Sequence, residues 1–175
     1  MSWKIDPSHS EIQLSVRHMM VSKVRGHFGS FSGEVDFNEE NPAASSVDVT
    51  IDASSISTRD SQRDDHLKSP DFLDVEEYPA LRFKSNRVEV VGEKKGRIYG
   101  ELTIRDISRE VVLDAEYTGQ AKSPWGTTSA GFSATTSFDR KDWGLGWNQA
   151  LETGGILVGD KVDVSIDLEL VKQEG

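Results

Sequence analysis

Apolar and polar side chains alternate one by one along most of this 175-residue chain. The cleanest stretch lies near the C-terminus, where Val162, Val164, Ile166, Leu168 and Leu170 share one face and Lys161, Asp163, Ser165, Asp167 and Glu169 the other. A period of two is that of a strand set between an apolar interior and water. Ile12/Leu14/Val16, Val47/Val49/Ile51, Ile98/Leu102/Ile104 and Val111/Leu113/Ala115/Tyr117 follow the same rule, each interleaved with polar neighbours. Further strands are expected from Gly26 to Phe37, Leu81 to Val91 and Ser129 to Phe138. Between Phe83 and Val88 the apolar parity changes, which predicts a bulge near Ser85-Asn86-Arg87, and Gly29 predicts another. Turn-forming stretches at Asn38–Pro42, Gly92–Gly96 and Lys122–Gly126 separate these runs.

One-sided alternation in so many strands points to antiparallel sheet, because parallel strands are buried on both faces. Closure removes exposed edges, and the strands are long for a small sandwich, so the expected fold is all-β: one antiparallel barrel of about eight strands. One segment departs from the period. Ser57 to Asp74 reads as helical, with Asp60 capping a first turn and Ser69-Pro70 set as an N-cap before a first-position proline. This short helical insertion near residues 60–73, with Leu67, Phe72 and Leu73 as its apolar edge, is expected over one mouth of the barrel.

The length suits a single domain spanning residues 1–175. With no cysteine, disulfides, thiolate catalysis and cysteine-ligated zinc are excluded. No run approaches the ~18 apolar residues of a membrane span, and the first residues show no secretion-signal pattern, so stable membrane insertion is not expected and the expected location is the cytoplasm, or the periplasm if a leader has been removed. A formal charge of −10 argues against nucleic acid and anionic lipid headgroups as partners.

Candidate chemistry is sparse. His9, His18, His27 and His66 form no zincin-type pair, so no metal is expected. Gly29-Ser30-Phe31-Ser32-Gly33 has Phe where a nucleophile elbow needs serine, and Gly144-Leu145-Gly146-Trp147 lacks the third glycine of a phosphate loop. Carboxylates alternate outward, as on a solvated face. No catalytic residue and no cofactor are therefore expected. His18 alone continues the apolar parity of Ile12, Leu14 and Val16; it is either a core histidine satisfied by a hydrogen bond or a polar anchor for an otherwise apolar ligand. The long connection Asp139–Gly155, with Trp143, Trp147, Leu145 and Leu151, either plugs a barrel end or lines a pocket entrance. Trp125, in a plain turn, reads as structural.

Eight strands enclose just enough space for one slender ligand, and the small residues of Gly131–Thr136 leave room. Parity and the two insertions select Leu14, Val16, His18, Phe31, Leu67, Phe72, Phe83, Leu102, Phe132, Trp143, Trp147 and Leu151 as ligand contacts.

The segments Asp6-Pro7-Ser8-His9-Ser10, Val16-Arg17-His18, Val24-Arg25-Gly26, Arg63–Phe72, Tyr78-Pro79, Gly100–Arg105 and Arg140-Lys141-Asp142-Trp143-Gly144 resemble, in order, the YceI-like family from about Trp3 to Leu170. The resemblance implies a lipocalin-like extended antiparallel barrel that binds a polyisoprenoid (a prenyl diphosphate or isoprenoid quinone) or a similar long-chain lipid, commonly as a homodimer. His9, Arg17, His18, the His66–Phe72 segment and Arg140–Asn148 fall in the matched motifs. Many members carry a secretion signal, a pattern this chain does not show. The expected function is non-catalytic binding, carriage or sequestration of the lipid. The alternatives are an enzyme acting on an isoprenoid and a solidly packed structural barrel.

Overall fold

In the computed structural model, which describes residues 2–19, 21–148 and 158–173, eleven strands form one antiparallel sheet. They are β1 (Ser2–Ile5), β2 (Glu11–His18), β3 (Ser22–Phe28), β4 (Phe31–Asp36), β5 (Ser46–Asp52), β6 (Ile56–Ser57), β7 (Ala80–Val90), β8 (Lys95–Ile104), β9 (Ile107–Lys122), β10 (Thr128–Asp139) and β11 (Val158–Lys172). The single α-helix among the described residues is α1 (Ser61–Lys68).

The eleven strands make eight walls. β1 and β2 both pair with β11, Ile5 opposite Leu170 and Leu14 opposite Val164, so they are one long strand broken at Asp6–Ser10. β3 and β4 are likewise one strand, pairing with β2 and β1, and β5 and β6 pair with β4 and β3. β5 then pairs with β7, and the remaining strands run in order to β11, which closes the barrel.

The three breaks are neighbours. A 3-10 turn at Pro7–His9 is capped by Asp6, another at Ala53–Ser55 by Asp52, and Gly29-Ser30 lies between them in the sheet. Gly29 N–H donates to the Ser55 carbonyl at 3.2 Å and Asp52 N–H to that of Ser30 at 2.9 Å. The wall therefore bends as a unit with its backbone groups paired, as burial requires. The bulge expected at Gly29 is thus a full break. The parity change in β7 is a bulge between Ser85 and Arg87, as the alternation predicts. A second lies in β10 between Gly131 and Phe132.

At one end of the barrel β6 pairs only with β3, and α1 with the turns after it covers the place where β6 and β7 part. Asp60 caps α1 through its side chain, accepting from Gln62 and Arg63 N–H. The helix is polar and buries none of its own residues, so it is held by bonds. Thr58 gives N–H and Oγ1 to Asp64 at 2.8 and 2.6 Å, while Arg63 donates to Thr58 Oγ1 and its carbonyl, both at 2.8 Å. Helical structure does not continue past Lys68. Ser69 ends α1 by donating N–H and Oγ to the His66 carbonyl, so it is a C-terminal cap rather than the start of a second helix. The chain then folds back through Asp74 at φ 49° and buries Phe72 and Leu73.

Candidate functional site

The interior is not filled. A cavity of about 920 Å³ runs inside the barrel from the α1 end to the opposite end. That lies at the upper part of the ~300–1,000 Å³ range of small-molecule pockets. Inward residues of the strands after β1 line it, among them Ile12, Leu14, Val16 and His18 on β2; Leu102 and Ile104 on β8; Val111, Leu113, Ala115 and Tyr117 on β9; and every apolar residue of β11 from Val162 to Leu170. From Val158 to Leu170 the wall is about 40 Å long at ~3.3 Å per residue, or about 30 Å along the axis at a ~40° tilt. Leu14, Leu102, Phe132, Ala134, Ile166 and Leu168 point inward yet are only half-buried. Their free surface faces the cavity.

The α1 end gathers both insertions that break the strand pattern. Trp147 stands edge-on to His66 at 4.5 Å and lies 5.5 Å from Phe72, and His66 meets Phe72 at 5.1 Å. His66 is fixed by a hydrogen bond between its Nε2 and the Asp71 carboxylate at 2.9 Å. Behind this cluster is Arg140, buried and spread over three carbonyls, of Gly159 at 2.9 Å, of Leu145, and of Val158 at 3.4 Å. Burial pushes its guanidinium pKa down, against the opposing charges of Asp160 and Asp139. The opposite end is packed with Phe37, Tyr117 and Phe132, whose rings lie 5.1–5.3 Å apart.

Nine of the sequence-selected contacts line the cavity: Leu14, Val16, His18, Leu67, Phe72, Phe83, Leu102, Phe132 and Trp147. Two do not. Trp143 is 1% exposed, gives its Nε1–H to the Leu102 carbonyl at 2.8 Å and packs on Phe138. It is structural because the 3-10 turn at Arg140–Trp143 swings it under the loop. Phe31 follows immediately on the break at Gly29-Ser30 and is buried in the core, outside the cavity lining. Leu151 lies outside the described residues.

His18 is half-buried and faces the cavity, and among the described residues its imidazole makes no hydrogen bond. Arg17 is exposed but reaches the cavity rim. Arg140, Thr58, Phe37 and Tyr117 were missed. Parity already pointed to Tyr117, through Val111–Tyr117, and to Phe37, two residues past Val35. Nothing local to Arg140 signals a buried cation.

Among the described residues one trio of metal-ligand types converges, Asp6, His9 and Glu169. His9 Nδ1 sits 2.8 Å from Asp6 and 3.3 Å from Glu169, at the break between β1 and β2. The hydrogen bond from His9, then that from Ser8, hold the Asp6 carboxyl at about 2, and His9 is raised by Asp6 and Glu169 in turn. The trio is an ion-pair pin: Asp6 N–H also bonds the Glu169 carbonyl at 2.8 Å.

The fold and this interior define a lipocalin-like barrel enclosing an apolar cavity. The YceI-like domain profile matches residues 3–170. A UPF0312 protein of Staphylococcus aureus (strain N315) is 34% identical over 169 residues, 96% of each chain. The chain belongs to the YceI-like family. Its fold is shared by Burkholderia cenocepacia BcnA, with a TM-score of 0.80 at 24% identity over 97% of this chain and 99% of that one. It is shared also by a polyisoprenoid binding domain from Saccharophagus degradans implicated in plant cell wall breakdown, with a TM-score of 0.70 at 12% identity over 98% of both.

Proposed function

We propose that this protein binds a polyisoprenoid or a similar long-chain lipid inside the barrel, without catalysis, and carries or sequesters it. The observation that carries the proposal is the long cavity itself, walled from end to end by the apolar faces of alternating strands. At ~30 Å³ per water-sized group, 920 Å³ holds on the order of thirty heavy atoms, or about six five-carbon units. Each buried unit contributes about 4 kcal/mol at ~0.8 per carbon. A chain of four or five units then reaches micromolar affinity, about 8 kcal/mol net, after ~10 kcal/mol of association and ordering costs. The polyisoprenoid binding domain of Saccharophagus degradans, with the same fold, supports the ligand class.

His18 and the Trp147 cluster supply polar and aromatic groups for a head group at the α1 end. Among the described residues no carboxylate lies within hydrogen-bond reach of His18 or Arg17, so an acid–base cluster on an isoprenoid has no support there.

Organic extraction of the purified protein followed by mass spectrometry tests the proposal. A co-purified prenyl lipid is expected. In parallel, a prenyl alcohol titrated onto the delipidated protein is expected to change tryptophan emission through Trp147. No extractable lipid together with indifference to every prenyl probe sinks it.

A further inference from the structure

Acidic residues outnumber basic ones 30 to 20, yet the two are unevenly placed. From Ile12 to Gly33 the chain has no Asp or Glu, while Arg17, Lys23 and Arg25 all fall in this run. It forms the β2–β3 hairpin, Arg17 opposite Lys23. Among the described residues none of these three cations has an acidic partner within 4.0 Å, whereas Arg82, Arg97, Arg140 and Lys161 are each paired. Asp163, on β11 beyond β2, senses Lys23 only at longer range.

The hairpin tip is apolar. Val21 is 82% exposed and Met19 45%. Val21 N–H closes the turn on the His18 carbonyl at 3.2 Å, and Met19 sits at φ 53°, a left-handed backbone that a side chain disfavours. A bulky apolar tip held out in water, with cations on both strands behind it, has the composition of an interfacial anchor. Its stem is the cavity wall, since Val16, Arg17, His18 and Val24 line the interior.

We propose that the β2–β3 hairpin docks the α1 end of the barrel on a bilayer surface bearing anionic headgroups. Val21 and Met19 enter the acyl boundary and Arg17, Lys23 and Arg25 lie at headgroup level. An apolar ligand then passes between bilayer and cavity with little exposure to water. The purpose of the contact rests on the lipid-binding proposal, but docking itself is measurable on empty protein. The charge of −10 and the carboxylates of the α1 segment oppose a deep contact, so docking is weak, reversible and salt-sensitive. The sequence-based expectation that net charge repels anionic lipid concerns the molecule's average, whereas this proposal concerns the hairpin alone.

The other large exposed aromatic, Trp125, is 87% exposed at the β9–β10 turn of the opposite end, so it is not a packing residue and serves as an internal control. Purified protein is floated with vesicles of phosphatidylcholine alone or mixed equally with phosphatidylglycerol. Wild type is expected to float with the mixed vesicles only, and to be released by about 0.5 M salt. K23Q/R25Q is expected to lose about 25-fold in vesicle affinity, about fivefold per cation. V21S is expected to lose several-fold and W125A nothing. These substitutions lie outside the cavity lining, so binding of a prenyl alcohol in vesicle-free solution is expected to match wild type; absence of that binding in every variant counts against the lipid-binding proposal alone. Flotation indifferent to phosphatidylglycerol, unchanged by V21S and K23Q/R25Q, or abolished by W125A overturns the hairpin proposal.

Discussion

Ala134→Phe separates a barrel built around a cavity from one built around a packed core. Ala134 lies mid-strand on β10, opposite Ala115 on one side and Ile166 on the other, and faces the cavity. In a filled interior, six extra carbons force neighbouring side chains off their rotamers and cost about 1–3 kcal/mol. Here the new ring enters open space. Burying a Phe side chain is worth about 1.5–3 kcal/mol, and ordering it costs roughly 0.5–1, so a net gain of about 1–2 kcal/mol is expected. With a urea m-value of about 2 kcal/mol/M, the unfolding midpoint rises by about 0.5–1 M. The same ring displaces about one five-carbon unit of ligand. That removes about 4 kcal/mol, or roughly a thousandfold in affinity for a prenyl alcohol long enough to fill the cavity. The paired assays are urea unfolding of delipidated protein and a fluorescence titration. A midpoint that falls by ~0.5 M, or an unchanged affinity, refutes the cavity argument.

Arg140→Met takes the hydrogen-bond donor from the Leu145 and Gly159 carbonyls and exposes Asp160 to a lone partner, Lys141; a loss of about 3–5 kcal/mol is expected, read as a fall of roughly 2 M in the urea midpoint. Gly100→Ala puts a Cβ 2.6 Å from both the Lys84 carbonyl oxygen and Phe83 Cζ, so a destabilisation of about 1–3 kcal/mol by thermal or urea unfolding is expected, with the prenyl affinity falling as the Phe83 ring is pushed into the cavity. The pin at the β1–β2 break has a pH window. Asp6, lowered to about 2, contributes fully above 3.8 and loses its contribution as pH falls toward 2, while His9, raised above 6.5, contributes fully below 6.5 and loses it as pH rises through its folded value. NMR titration of His9 in Asp6→Asn is expected to move its pKa back toward 6.5, and an unchanged value removes Asp6 from the pin.

Much of the barrel was legible in the chain because a strand's side-chain period is local. Each residue on a cavity-facing strand declares its face through its neighbours two positions away, so Leu14, Val16, Phe83, Leu102 and Phe132 could be placed inside without knowing any partner strand. Even His18 followed from parity alone. Phe31 shows the limit of that rule: its face was right, but the adjacent break turned it into core. Trp143 shows another, since a loop carries no period to say which of its tryptophans packs and which lines an entrance.

Although it gave no strand at β1 or β6 and ran β3 and β4 together from Gly26 to Phe37, the alternation of apolar and polar residues by itself determined an all-β chain, the bulge in β7 and most of the inward set. Those are consequences of near-neighbour sterics and burial. Only the tertiary structure decided that three strands break side by side, because the breaks are satisfied by bonds between segments 20 or more residues apart, as from Gly29 to Ser55. It alone decided that both insertions meet at one end, where His66, Phe72 and Trp147 come together. It decided, too, that the interior stays open. Whether apolar faces pack together or stand apart is set by barrel radius and strand tilt, and no single strand's pattern contains either.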